Sequence, residues 1–420
     1  MKKQAVWLLI GLVGVGIGWN SARAAETPRW LSIENTLGIG YDDNLSYTGT
    51  NKVDRMRLTD RLSLSADRPT ENGFVGLRYQ LSYTQYDSDD ALRDETFWAH
   101  QIDADLTHTF SPKLTLGVRE TFLFTERPEI ENPDGTIRRE DSTYYYNTLN
   151  LNASSIVTPR WRTEASGRWQ TLRYSEVDDL AQREDYDKWT LGLSLLNQIG
   201  TDARLGVEGR YSMIDYTDAN ERALRTITFE NAEQAANTVP DRGWDLYSVG
   251  LTLNDIVNPS LLASLRAGWE FREYEAAHID NDDGPYVDAS LTYLLSPDTR
   301  ITASGSYSLY QSGLLTYAGQ TRTAGSLSIA HDLTSRLTGT LLTSYILSEY
   351  EGDTAVSLIA GEPVSDAEET AISVAAQLAY RIGQRNWLQA GYTWSDFDSD
   401  LPRRADYDRN TVDISWRVRL

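Results

Sequence analysis

The chain contains no cysteine, which excludes disulfides and thiolate metal sites, so the fold must be held together without covalent staples. Histidine is scarce too. His100, His108, His278 and His331 are the full set, and they are too scattered to give metal-ligand spacing. No phosphate-cradling glycine loop occurs, and no serine stands with a histidine and a carboxylate at a recognisable motif spacing. These gaps argue against an enzyme, so no catalytic residue, cofactor or metal site is expected. Positive charge is in deficit: 39 Lys and Arg against 61 Asp and Glu give a formal net charge of −22. A chain this acidic offers no general basic surface for nucleic acid.

Long hydrophobic runs are missing, with one exception. Lys2 and Lys3 precede an apolar run from Ala5 to Trp19, and Ala22-Arg23-Ala24 is a small-x-small cleavage site. Residues 1–24 therefore read as a secretory signal peptide. The run falls short of the roughly 20 apolar residues that a membrane helix needs. Cleavage would remove Lys2, Lys3 and Arg23 and no acid, taking the net charge to −25. Residues 25–420 show no linker or compositional break and read as one domain.

What fills that domain is alternation. Apolar residues recur at every second position in Leu31-Ile33-Leu37-Ile39-Tyr41, Val75-Leu77-Tyr79-Leu81-Tyr83, Leu191-Leu193-Leu195 and Val412-Ile414-Trp416-Val418-Leu420, the period of a strand with one apolar face. Eight short turns punctuate the pattern: 67–73, 111–113, 158–160, 200–202, 258–260, 296–298, 334–336 and 383–386. Between them fall longer, mostly acidic loops near 49–54, 87–94, 128–141, 177–185, 219–242, 277–283, 312–319, 351–368 and 399–407. Short turns on one side, long loops on the other and alternation between them predict an all-β, antiparallel outer-membrane β-barrel of about 18 strands. Its location would be the outer membrane of a Gram-negative bacterium. Outer-membrane lipid, lipopolysaccharide and the barrel assembly machinery would be its surroundings and partners. Assembly machinery commonly reads a terminal strand ending in Phe; here that place is held by Leu420.

Several features need a further account. Asp60 and Glu120 fall in the apolar register, where a charge facing lipid costs on the order of 2 kcal/mol, so a β-bulge is expected at each, the alternative being that Glu120 lies against another barrel or a lipid headgroup. Tyr144, Tyr145, Tyr146, Trp161, Tyr186, Trp189 and Trp387 cluster at strand ends and read as interfacial girdles. Loop 219–242 is long enough to fold inward and constrict a pore, or equally to stand above the surface. Asp280-Asn281-Asp282-Asp283-Gly284 is a fragmentary calcium-loop pattern.

Parity places the remaining strand residues inside the barrel. Pore-lining candidates are Arg57, Arg61, Arg78, Arg119, Arg162, Arg168, Arg210, Arg266, Arg300, Arg322, Arg381 and Arg417. Arginine stays charged and pairs bidentately with carboxylates and phosphates. Such a set can conduct an anion, or it can fill the wall by pairing with interior acids, as Arg162 with Glu164 and Arg210 with Glu208 suggest. Ser304, Ser306, Ser308, Ser326 and Ser328 read as small pore-lining hydroxyls.

Gly40-Tyr41-Asp42-Asp43-Asn44-Leu45 and the Pro-containing turns at 111–113, 158–160, 258–260 and 296–298 resemble the β-barrel porin family linked to exopolysaccharide gene clusters. The resemblance runs along essentially the whole mature chain. It implies an outer-membrane conduit that exports an exopolysaccharide together with periplasmic export components, and it brings no catalytic residues. The alternatives are a structural or receptor-like surface barrel and a small-solute porin.

Overall fold

A computed structural model describes residues 30–420 apart from 88–95, 127–128, 132–136, 140–142, 176–184, 201, 217–242, 277–278, 313–316, 353–364 and 402–404. The signal-peptide segment and the 219–242 loop lie outside the described residues. In chain order the strands are β1 Leu31–Asp42, β2 Arg55–Thr70, β3 Gly73–Tyr86, β4 Thr96–Ser111, β5 Leu114–Thr125, β6 Glu129–Glu131, β7 Ile137–Arg139, β8 Tyr144–Ile156, β9 Trp161–Tyr174 and β10 Tyr186–Gln198. They continue as β11 Arg204–Tyr216, β12 Trp244–Asn258, β13 Leu261–Tyr274, β14 Asp282–Ser296, β15 Thr299–Gln311, β16 Gly319–Asp332, β17 Leu337–Tyr350, β18 Ala367–Arg381, β19 Asn386–Ser399 and β20 Tyr407–Arg419. The short strands β6 and β7 pair only with each other. The other 18 form one antiparallel sheet. It closes where β1 pairs with β20, from Glu34↔Arg419 to Asp42↔Thr411.

Closure explains how a chain with no disulfide crosses a bilayer. Each of these 18 strands has two neighbours, so backbone donors and acceptors are satisfied within the sheet and no edge meets lipid. Side chains alternate as the sequence predicts. Ile39, Leu77, Leu193, Leu251, Leu291, Leu378 and Ile414 are exposed on one face, and register keeps them in continuous rows, as in Ile39↔Ile414 and Val207↔Leu251. That face is the lipid-facing wall, and the opposite parity lines the lumen.

The tight turns join strand pairs at one rim, starting with residues 71–72 between β2 and β3. The long connections all leave the other rim. Short turns mark the periplasmic side and long loops the outer side. An epitope tag inserted within 351–366 should therefore be reached by antibody on intact cells, whereas a tag at 297–298 should be reached only after the outer membrane is permeabilised. Equal labelling of both would reverse or abolish this assignment of sides.

Two expectations change. The register runs unbroken through Asp60, paired with Leu37 and Tyr83, and through Glu120, paired with Ala104 and Leu149. No bulge turns either acid inward. Each instead takes a hydrogen bond from an asparagine on an adjacent strand: Asn35 Nδ2 donates to Asp60 at 2.8 Å and Asn147 Nδ2 to Glu120 at 3.1 Å. Asp60 is also buried among its neighbours, which shields it from hydrocarbon. The aromatic girdle is likewise split by parity. Tyr145, Trp161 and Trp189 are exposed, but Tyr144 and Tyr186 are buried and belong with Tyr174, Tyr216, Trp244 and Tyr274 to an apolar cluster. These residues have the lumenal parity and lie near the outer ends of their strands. Tyr146 and Trp387 also have lumenal parity, with Tyr146 accepting from Gln170 at 2.6 Å.

Candidate functional site: the lumen wall

The inner face of β11 to β14 carries a dense polar network centred on Glu208. Its carboxylate accepts from Arg266 Nε at 2.9 and 3.0 Å, from Arg210 Nη2 at 3.3 Å and from the Tyr286 hydroxyl at 2.8 Å. Arg266 also lies 3.5 Å from Asp288. Tyr286 belongs to β14 and Glu208 to β11, so the ring must lie across β12 and β13 to reach it. It can do so because Gly250 and Gly268 face each other in register there. A Cβ on either glycine would overlap the Tyr286 ring or hydroxyl and a neighbouring backbone carbonyl. The bare backbone at this pair is what lets the ring lie flat on the wall.

Further toward the outer rim the barrel narrows. β14 and β15 stay paired only as far as Val287↔Tyr307, while β15 and β16 remain paired out to Gln311↔Gly319. Beyond Tyr307 β15 parts from β14, while β16 keeps its pairing with β17 to Thr321↔Glu349; the hairpin end past that point turns inward, and side chains replace the lost β14–β15 ladder. Glu270 accepts from the Leu309 N–H at 3.1 Å, and Arg272 donates to the Tyr310 carbonyl at 2.5 Å. Arg272 is fully buried, pairs with Asp282 and lies over Trp244 and Tyr274. Lys188 of β10 donates to Gln311 Oε1 at 3.0 Å and sits over the Tyr310 ring. Five strand steps separate β10 from β15, about 24 Å along the wall, so the two meet only because the ribbon crosses the interior. Tyr317 and Ala318 are buried at its end. The Tyr317 hydroxyl donates to the Ser365 carbonyl at 2.6 Å, and burial together with Asp366 raises its pKa above the ordinary tyrosine value. Among the described residues, the inward-held element is the outer end of the β15–β16 hairpin.

The twelve arginines picked out by parity all share the lumenal register, but their surroundings differ. Arg57 reaches over Gly40 to grip Asp413 with two hydrogen bonds of 2.7 and 3.2 Å. Arg119 pairs with Asp105 at 2.6 Å, and Arg162 lies 3.8 Å from Glu164. Arg210 and Arg266 belong to the Glu208 network. Arg417 stacks on Trp387 and lies 3.9 Å from Glu34. Arg381 sits at the periplasmic rim, where it donates to the Ser335 carbonyl at 3.0 Å and holds a turn. Arg61 and Arg300 face the lumen from β2 and β15. Arg78 and Arg168 are exposed, and among the described residues neither has a carboxylate within ion-pair distance; Arg168 donates to Asn150 at 2.8 Å. Arg322 is buried against the Tyr310 ring.

Sequence reasoning missed Lys188, Tyr286 and Arg409, which pairs with Asp42 and lies over Tyr47. Parity alone would have added Lys188 and Arg409 to the lumen. In the acidic segment at 280–284, Asp282 pairs with Arg272, Asp283 accepts from the Trp269 indole at 2.7 Å and Asn281 accepts from the Tyr274 N–H at 3.0 Å. Among the described residues no three His, Cys, Asp or Glu are grouped to hold a metal. His100 faces outward and shares a 2.9 Å hydrogen bond with the Tyr79 hydroxyl. His278 lies outside the described residues.

Between β13 and β17 the wall is lined by small residues, and they form a cavity of about 490 Å³ open to the lumen. Ser264 and Ser290 share a hydrogen bond of 2.7 Å there, as do Ser304 and Ser326.

Residues 247–420 match the family described as "Putative beta-barrel porin 2", which agrees with the resemblance carried by the turns at 258–260 and 296–298. No curated protein sequence matches the chain. Among solved structures, OccAB3 of Acinetobacter baumannii is 13% identical, with 93% of this chain and 99% of that chain covered and a TM-score of 0.44. The outer membrane protein opdK of Pseudomonas aeruginosa is 11% identical, with 93% and 99% covered and a TM-score of 0.47. OccAB4 of Acinetobacter baumannii is 10% identical, with 94% and 99% covered and a TM-score of 0.48.

Proposed function

We propose that this outer-membrane β-barrel, a porin-like channel, is a passive conduit through which an exopolysaccharide leaves the cell. The observation that carries the reading is the make-up of the lumen wall. Its polar groups are numerous, and most arginines are balanced by a carboxylate, an amide or an aromatic ring, as in Arg57–Asp413, Arg168–Asn150 and Arg417–Trp387. Many weak contacts let a polymer exchange its hydration for wall contacts step by step, where one strong site would trap it. A barrel of this strand number is wide enough to enclose an aqueous channel. The energy for export would come from polymer synthesis or from periplasmic export components.

Pairing also decides which charges matter. Arg57, Arg119 and Arg266 hold acids within ion-pair distance, whereas among the described residues Arg168 and Arg78, which Asp103 faces in register, do not. Replacing Arg78 and Arg168 together by Glu should move ion preference toward cations, most visibly at low salt where lumen charges are least screened. The barrel should still assemble, because lumen positions tolerate polar change. Deleting the gene should abolish release of the polysaccharide and leave its synthesis intact, with restoration by the wild-type copy. Undiminished polysaccharide outside cells lacking the barrel would overturn the export reading.

A further inference from the structure

We propose that seven serines on β13 to β19 form a continuous hydroxyl rail for a glycan that carries carboxylates, a proposal that rests on the export reading above. Register brings them together. Ser264 faces Ser290, Ser290 faces Ser304, Ser304 faces Ser326, Ser326 faces Ser344, Ser344 faces Ser373 and Ser373 faces Ser395. All seven have the lumenal parity, and each is exposed or half-buried.

The rail does not circle the barrel at one depth. Ser264 lies beside the periplasmic start of β13 at Leu261, and Ser395 lies beside the outer end of β19 at Ser399. Six strand steps of about 4.8 Å make a row about 29 Å long. Because strands tilt by about 40° in such barrels, the row climbs roughly 18 Å along the axis. Polar residues extend it at both ends: Ser264 faces Asn254, which faces Arg204, and Ser395 faces Arg409.

The chemistry fits a sugar chain. The strand spacing is close to the length of one pyranose ring in an extended glycan, so each sugar would meet one serine at constant phase. A serine hydroxyl has one donor and two acceptor lone pairs. The Ser264–Ser290 and Ser304–Ser326 pairs use one proton each, leaving a second proton and free lone pairs for the lumen. Small side chains also let a ring approach the wall closely.

A second observation points to a ligand and to its charge. Arg322 is only 8% exposed, its Nε has no hydrogen-bond partner, and it lines the same cavity as Ser304, Ser306, Ser326 and Ser344. Among the described residues no carboxylate pairs with it. A guanidinium held this way, with its face on Tyr310, is ready to donate to a passing carboxylate, the group it matches in shape and charge.

The test uses the full-length barrel in planar bilayers, with a neutral β-1,4-linked gluco-oligosaccharide and an oligogalacturonate of equal length as current blockers. Wild type should be blocked by both, with longer blocks by the acidic one. Changing Ser290, Ser304, Ser326, Ser344 and Ser373 to Ala should leave ionic conductance unchanged, since alanine is no larger. Both block times should shorten about 10-fold or more, equivalent to losing one or two net hydrogen bonds. Changing lumenal Ser63, Ser82 and Ser154 to Ala should shorten them less than about twofold. Arg322→Gln should remove the preference for the acidic sugar and keep the neutral block. If the five-serine variant does not show the heat-dependent gel shift of an assembled barrel, the triple change of Ser304, Ser326 and Ser344 replaces it. Unchanged block times in an assembled variant would overturn the rail and leave the conduit standing. A wild-type channel that conducts ions but is blocked by neither sugar would overturn the export reading itself.

Discussion

Replacing Glu208 by alanine should destabilise the barrel by about 3–5 kcal/mol, the range for removing one partner of a buried ion pair. Its carboxylate is almost completely buried and takes hydrogen bonds from Arg210, Arg266 and Tyr286. Without it, two guanidinium groups lie near each other with Asp288 and Glu270 left to offset them, and the Tyr286 hydroxyl loses its acceptor. The repulsion and the lost bonds both act on β11 to β14. Urea unfolding of the refolded protein in detergent, followed by tryptophan fluorescence, would read the loss. Glu208→Gln should cost less, because the amide oxygen still accepts from Tyr286. A loss under about 1 kcal/mol for Glu208→Ala would show that the network is solvated in the working barrel and does not hold these strands.

Replacing Arg272 by alanine should widen the channel. Arg272 ties the inward-turned end of β15 to the β13 wall through the Tyr310 carbonyl, while Lys188 holds the same ribbon from β10. With Arg272 gone, the Tyr310 carbonyl loses its donor and Asp282 loses its cation, so the ribbon has less to keep it across the lumen. Single-channel conductance should rise by about twofold or more, as expected when a constriction that sets passage is released. Lys188→Ala should act in the same direction, since its ammonium donates to Gln311 and lies over the Tyr310 ring. Unchanged conductance in an assembled Arg272→Ala variant would mean that the narrowest point lies elsewhere.

Much of this molecule is legible along the chain because a strand exposes alternate residues to two solvents. Lipid on one side and water on the other write a period of two into the sequence, and Leu191-Leu193-Leu195 carries it unmistakably. The turns at Pro112, Pro159, Pro259 and Pro297 were legible because proline stops a ladder. Strand number, the two rims and the lumenal parity of the arginines follow from those two local signals.

What the tertiary structure decided is every relation between strands that are not neighbours in a hairpin, and every partner on an adjacent strand. Asp60 looked misplaced because nothing in its own strand announces Asn35 as its donor. Tyr286 gives no hint that it crosses two glycines to Glu208. The β15–β16 ribbon looks like any other hairpin until Lys188, five strands away, is found against it. The serines are visible singly, but a row needs the register of seven strands at once. Alternation fixes which way a side chain points and says nothing about its height on the wall. That height is set by strand tilt and by the register of each pairing, which exist only once the sheet has closed.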